Sequence, residues 1–209
     1  MDHPSCSLEV ETRLHFADRE EAFRLLPFLR SCRWTEIEWE TSFWGEELFL
    51  AGFLLRLAQG GPSGGPYEYS LGWKGPDRGK VVNIREEIEE EITEGLIDSR
   101  ILAMLGAPGR RLRREEVAAV LEELGHARFM SFSRRSLLGV DPAYGFKLKL
   151  MSCPILRWPL LLEIEKSAAT WEEARAAEKA IISFLEGHGL LDRLVREEPP
   201  TLLYEVMKG

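Results

Sequence analysis

The sequence predicts an α+β fold built on a large antiparallel sheet that is able to close on itself. Two observations carry this. Apolar and polar residues alternate with period two through most of the first half and again between about 127 and 166, which is the period of a strand. Helical patterns are fewer, and two of them begin at a recognisable cap.

The elements follow in order. Leu8, Val10 and Thr12 alternate with Glu9, Glu11 and Arg13, which predicts a first strand. Asp18 and Glu21 form a capping-box pair, and Ala22, Phe23, Leu25 and Leu26 supply an apolar helical face. The segment 34–44 alternates Trp34, Glu36, Glu38 and Glu40 against Thr35, Ile37, Trp39 and Thr41. The apolar run 48–57 reads as a largely buried strand. The segment 60–66 reads as a flexible glycine-rich loop, and 67–74 as a further strand. A turn at 75–79 leads into a strand over 80–88. Helices are predicted over 90–105 and 114–125, the latter with Val117, Val120, Leu121 and Leu124 on one face. Strands return at about 127–138, 145–152 and 159–166. Thr170 and Glu173 cap a helix over 171–186, and 202–206 forms one more short strand or a packed tail.

Composition sets the outer bounds. The 209 residues predict a single domain over 1–209 with an ordinary apolar fraction of 44%. The net charge of −8 argues against a nonspecific nucleic-acid binder or an anionic-membrane binder, both of which need a basic surface. A local basic pocket for a small anion stays open, because pocket charge and net charge are separate quantities. Cys6, Cys32 and Cys153 are too far apart for a C-x-x-C motif, so neither a disulfide framework nor a thiolate zinc site is expected, and a reducing cytoplasm fits. The start of the sequence lacks the pattern of a signal peptide, and no apolar run approaches the length of a membrane span, about 20 residues.

Charge at alternate strand positions is the unusual feature. Glu9, Glu11 and Arg13 share one face of the first strand. Arg56 interrupts an apolar strand, and Lys74 ends another. Arg85, Glu87 and Glu89 share a face, Arg134 and Arg135 are consecutive, and Glu163 and Glu165 share a face late in the chain. One wet sheet face would explain any single such strand. If the strands close with these residues inward, they line a polar tunnel. Paired carboxylates in such a lining suit a hard divalent cation, and arginines and lysines suit polyphosphate oxygens.

At these residues the sequence resembles the CYTH superfamily, the triphosphate tunnel metalloenzymes, which include thiamine triphosphatases, inorganic triphosphatases and class IV adenylate cyclases. Glu9-x-Glu11-x-Arg13 is similar to the family's Glu-x-Glu-x-Lys signature. Leu55-Arg56-Leu57 resembles its Leu-Arg-x-Arg strand, Lys74-Gly75-Pro76 its Lys-Gly-Pro strand end, and Arg85-Glu86-Glu87 its Arg-x-Glu strand. Ser133-Arg134-Arg135 resembles its Lys-x-Arg strand, and Glu163-Ile164-Glu165 its late Glu-x-Glu. The six motifs occur in the family's order over essentially the whole chain.

The resemblance implies an eight-stranded antiparallel closed β-tunnel with helices packed outside, which binds a triphosphate in its lumen with Mg²⁺ or Mn²⁺. It makes Glu9, Glu11, Glu163 and Glu165 metal ligands. Arg13, Arg56, Lys74, Arg85 and Arg135 become phosphate-binding residues, with Glu87 orienting a cation; Glu9, Glu11, Arg13 and Lys74 form the catalytic set. The implied activity is metal-dependent hydrolysis of inorganic tripolyphosphate, thiamine triphosphate or a nucleoside triphosphate. The alternatives are a binding module of weak catalytic power and a class IV adenylate cyclase. A homodimer is compatible with such a barrel. The sequence departs from the family pattern at Arg13 for lysine, Ala58 for the second arginine and Ser133 for lysine. No Asp or Glu lies between Asp141 and Glu163, where the family keeps a seventh-strand aspartate; Lys147 and Lys149 stand there instead. A lumenal Lys149 would add to phosphate binding and oppose a metal ion, so slow turnover of a well-held polyanion is expected.

Other motifs are set aside. The glycine-rich segment 60–66 lacks the Gly-Lys-Ser/Thr of a P-loop, and no serine sits in a Gly-x-Ser-x-Gly context. His3, His15, His126 and His188 are scattered, with His15 on the charged parity of the first strand. Trp73, next to Lys74, is the tryptophan placed to stack on a ligand ring.

Overall fold

A computed structural model of the protein describes residues 7–63, 65–92, 95–109, 111–152 and 155–209, with backbone alone at 96 and 97. Cys6, Cys153 and His3 lie outside the described residues. Cys32 is a free, buried thiol whose pKa is pushed up by burial and by the nearby Asp141.

The chain opens with β1 (Ser7–Phe16), α1 (Arg19–Leu25), a 3₁₀ turn at Pro27–Arg30 and β2 (Thr35–Trp44). It continues with α2 (Glu46–Leu50), β3 (Leu54–Pro62), β4 (Glu68–Lys74) and β5 (Asn83–Glu91). Then come β6 (Leu96–Ile97), α3 (Arg100–Met104), β7 (Arg111–Leu112) and α4 (Arg114–Glu123). The remainder is β8 (Arg128–Val140), β9 (Lys147–Ser152), β10 (Leu160–Ala168), α5 (Trp171–Gly187), β11 (Leu194–Val195) and α6 (Pro199–Lys208).

The hydrogen-bonded strand order is β10-β9-β8-β2-β3-β4-β5-β1, and β1 pairs again with β10. The order returns to its start, so eight strands form a closed antiparallel β-barrel, as the motifs predict. β11 adds to β1 as a ninth, short strand, and β6 and β7 form a separate two-stranded ribbon. Internal contacts divide the chain into two compact units, with boundaries inside β2, β5 and β8 and in the turn between β4 and β5.

The first unit holds residues 38–77 and 86–133. Its core packs Trp44, Leu55, Leu71 and Ile88 from the strands against Ile101, Leu102, Val117 and Leu121 from α3 and α4. The second unit holds residues 7–37, 78–85 and 134–209. There Leu8, Val10, Leu14, Leu148, Leu150, Leu162 and Ile164 pack against Ala174, Ala177, Ile181, Phe184 and Leu185 of α5. In both units the residues on alternate strand positions turn away from these helices, toward the inside of the barrel.

The two predicted capping boxes form. Glu21 N donates to Asp18 Oδ1 at 2.8 Å, and Ala17 N to Glu21 Oε2 at 2.7 Å. Glu173 N donates to Thr170 Oγ1 at 3.2 Å, and Ala169 N to Glu173 Oε2 at 2.8 Å.

Four elements differ from the sequence expectation. The run 48–57 is not one strand: it begins within α2 and reaches β3 only at Leu54. A short apolar run fits either element, and Gly45, at φ 70° with its N–H on Ala127 O, turns the chain into a helix. The segment 60–66 is not all loop, because β3 runs on to Pro62. Gly60 answers a close approach: a Cβ there would meet Glu38 O at 2.2 Å and the Trp39 ring at 2.7 Å. The helix expected over 90–105 is confined to α3, since β5 extends to Glu91 and the Ser99 cap, accepting from Leu102 N at 3.0 Å, starts the helix late. Of the two alternatives for 202–206 the strand does not form: the segment is helix with Leu202 and Leu203 buried, because Pro199 and Pro200 occupy the first turn of α6, where a missing N–H costs nothing.

Candidate functional site

In the second unit, strand register builds a block of charge on the inward face. β10 pairs with β1 so that Glu11 faces Glu165 and Arg13 faces Glu163. β9 pairs with β10 so that Lys147 faces Glu165 and Lys149 faces Glu163. Side chains directly opposite across an antiparallel pair touch, so two rows result: Lys147–Glu165–Glu11 and Lys149–Glu163–Arg13. The Glu11–Glu165 contact of like charges is unfavourable by itself, and the cations on either side offset it.

Arg13 is the centre of this block. It is 2% exposed; its Nη2 lies 2.5 Å from Glu11 Oε1, and its Nε donates to Glu163 Oε2 at 3.2 Å. Burial alone favours a neutral guanidine, but the coulombic fields of Glu11, Glu163 and Glu198 outweigh it and raise the pKa above its already high ordinary value. Lys149 donates to Glu163 Oε1, and Lys147 to Glu165 Oε1 at 2.8 Å and Ser167 Oγ at 3.1 Å. Glu9, facing Ser167 across the ladder, is buried.

Glu198, which sequence reasoning missed, completes the block. It is the N-cap residue of α6, and its Oε1 lies 2.8 Å from Arg85 Nε and 3.9 Å from Arg13 Nη2. Its only sequence signal was the acid immediately before Pro199 and Pro200.

Arg135 is placed differently from expectation. Ser136, Leu138 and Val140 of β8 face Met151, Lys149 and Lys147, so even-numbered positions of β8 are inward. Arg134 therefore shares the charged face, with Nη1 3.8 Å from Met151 Sδ. Arg135 is on the opposite face, exposed, beside Asp18, Arg19 and Glu36. Two consecutive arginines offered two strand phases, and the motif similarity selected the outward one. His15 is inward by parity and stacks on Trp158, with ring centroids 5.5 Å apart.

In the first unit, the inward positions of β3, β4 and β5 carry Arg56, Lys74, Glu87 and Glu89. Arg56 Nη2 donates to Glu87 Oε1 at 3.1 Å and Glu89 Oε2 at 3.0 Å, and Lys74 Nζ lies 3.7 Å from Glu87 Oε1. Ser70 Oγ donates to Glu89 Oε1 at 2.6 Å. Desolvation pushes the Glu89 carboxyl up, but Arg56, Ser70 and Lys74 together bring it below the ordinary carboxylate range. Gly72 stands opposite Arg56, and a Cβ there would meet Arg56 Nε at 2.7 Å, so the arginine lies across the bare glycine. Trp73, expected at a ligand ring, is on the other face and packs on Phe53 at 5.0 Å, because its neighbour Lys74 takes the inward position. Trp39, Thr41 and Phe43 of β2 share a face, and Phe43 stacks on Phe132 at 6.0 Å.

Glu163 and Glu165 are not turned toward a divalent ion as they are arranged. Both oxygens of Glu163 are engaged by cations, Oε1 by Lys149 and Oε2 by Arg13, and Glu165 Oε1 is engaged by Lys147. A hard cation needs several oxygens turned toward one point. Among the described residues, no group of three or more His, Cys, Asp or Glu side chains is so placed. What the block does offer is a set of cations held in position by carboxylates, with Arg13 buried, Lys149 partly exposed and Lys147 exposed.

No protein-family model and no curated protein matches the chain. Solved structures do. A protein from Pyrococcus horikoshii is 19% identical, with a TM-score of 0.68 over 94% of this chain and 98% of its own. A candidate adenylate cyclase from Vibrio parahaemolyticus is 11% identical, with a TM-score of 0.68 over 98% of this chain and 100% of its own. A Hippeastrum protein, described as an adenylyl cyclase candidate with a dominant triphosphatase activity, is 17% identical, with a TM-score of 0.50 over 88% of each chain. At these identities the likeness is one of fold.

Proposed function

We propose that the chain binds a triphosphate-bearing small molecule on the inward face of its barrel, and that the reaction it supports is hydrolysis of the terminal phosphoanhydride. The observation that carries this reading is the buried block around Arg13: charge is concentrated inside the barrel and fixed by strand register, where a solvated sheet face would need none of it. Phosphoryl transfer relies on positioning and charge neutralisation more than on covalent chemistry by the protein, and oriented arginines and lysines supply both. Arg13, Arg85 and Lys149 serve in the second unit, and Arg56 and Lys74 in the first. The triphosphatase activity named for the Hippeastrum protein of the same fold supports the reaction class. Among the described residues no helix is long and apolar enough to cross a membrane.

A second reading, that the ligand is held with little turnover, is favoured by the Lys149–Glu163 and Lys147–Glu165 pairs, which occupy the carboxylates that the motif similarity assigns to a metal. One experiment separates the two. Binding of tripolyphosphate, thiamine triphosphate, ATP and GTP is measured by calorimetry, and phosphate release is followed with EDTA, Mg²⁺ or Mn²⁺. Binding with release supports hydrolysis, and binding without release supports the second reading. No binding of any of the four refutes both.

A further inference from the structure

The charged rows of the second unit do not end at β9. Leu138 faces Lys149 across the β8–β9 ladder, and Val140 faces Lys147. Each row therefore continues from ion pairs into an aliphatic side chain. Leu138 is 37% exposed and Val140 59% exposed, so this apolar strip is not part of a packed core.

A cavity of about 700 Å³ opens here, lined by Lys147, Lys149, Glu163, Glu165, Leu138 and Val140 among others. Its size is that of a small-molecule site, and its make-up of apolar walls with a few convergent charges is the usual one. None of its lining residues is aromatic. A nucleobase gains most of its sequence-tolerant affinity from stacking on a ring, and this cavity offers none.

We propose that this cavity is the subsite for the organic end of the ligand, and that it selects a triphosphate monoester of an apolar, non-nucleotide alcohol over both inorganic tripolyphosphate and a purine nucleotide. The phosphates lie against Lys149, with Arg13 buried behind Glu163 on the same row, as the triphosphate reading requires and on which this inference rests. Facing side chains on paired strands are about 5 Å apart. The group on Leu138 and Val140 is therefore one strand away from the phosphate on Lys149, which is the reach of a group esterified directly to that phosphate.

The test compares three probes by calorimetry: tripolyphosphate, n-butyl triphosphate and ATP. Burial of a four-carbon chain against Leu138 and Val140 is expected to make the butyl ester bind roughly tenfold or more tighter than tripolyphosphate. The double variant Leu138→Ser, Val140→Ser removes that advantage and leaves tripolyphosphate binding unchanged; both positions are exposed, so the fold tolerates it. Equal affinity for tripolyphosphate and the butyl ester, tighter binding of ATP than of the butyl ester, or equal loss of all probes in the double variant overturns the subsite. Failure of all three probes to bind the unmodified protein overturns the triphosphate reading itself and the subsite with it, a pattern distinct from the others.

Discussion

Replacing Arg13 by methionine tests the central claim about the site, that one guanidinium holds three carboxylates inside the barrel. The substitution keeps most of the side-chain volume and removes the charge. Glu11, Glu163 and Glu198, each at most 6% exposed, then face one another without it. Breaking a buried ion pair by removing one partner costs about 3–5 kcal/mol, because the remaining charge stays desolvated. For a chain of this size that corresponds to a fall in Tm of roughly 6–20 °C. Arg13→Lys keeps the charge but not the two-sided fork, and falls between the two. Urea unfolding at neutral pH is the assay. A methionine variant as stable as the unmodified protein would refute the reasoning.

Three further outcomes follow from the same geometry. Lys74→Ala removes a charge-assisted phosphate contact worth about 1.5–3 kcal/mol and weakens tripolyphosphate binding by about tenfold or more, read by calorimetry; unchanged affinity counts against the site. Mn²⁺ alone, followed by electron paramagnetic resonance, binds the unmodified protein weakly, while Lys149→Asp, which exchanges the cation on Glu163 for a carboxylate, raises Mn²⁺ affinity at least several-fold; tight Mn²⁺ binding by the unmodified protein, lost in the variant, reverses the argument. Glu21 is held below the ordinary carboxylate range first by the Ala17 N–H and then by Arg193, so its contribution is present above the unfolded Glu value, about 4.3, and is lost as pH falls below it. Arg193→Ala accordingly reduces stability at neutral pH and flattens the acid limb of the stability curve, as thermal melts at stepped pH will show.

The strands were legible because period-two alternation places Glu9 with Glu11, and Glu163 with Glu165, on one face, while the closure of the barrel and the grouping of these residues with Arg56 and Lys74 came from the motif similarity. Register was not legible. The two Glu-x-Glu strands lie far apart in sequence, yet they are partners in one ladder, with Glu11 against Glu165. Arg135 failed for a related reason: a strand with arginines at both 134 and 135 has no phase of its own until Ser136 meets Met151. Glu198 was invisible to any strand-based reading because it caps a helix, and its pairing with Arg85 joins residues 113 positions apart. Apolar runs such as 48–57 were ambiguous in kind, and the left-handed glycine at 45 decided the matter.

The β1–β10 ladder has a consequence for how the molecule is made. It is the ladder that closes the ring, and it couples Arg13 to Glu163, 150 positions later. Until the chain through residue 168 has left the ribosome, β1 has no partner on that side, and its inward face is a row of charges without Glu163 to meet Arg13. Non-local pairing of this kind slows folding to milliseconds or longer, since the loop entropy is spent before any contact rewards it. The same row protects the waiting strand. Glu9, Glu11 and Arg13 make it a poor template for pairing with a second nascent chain, as charged residues do on natural edge strands. The residues that line the inside of the finished barrel thus also guard the strand before the barrel exists.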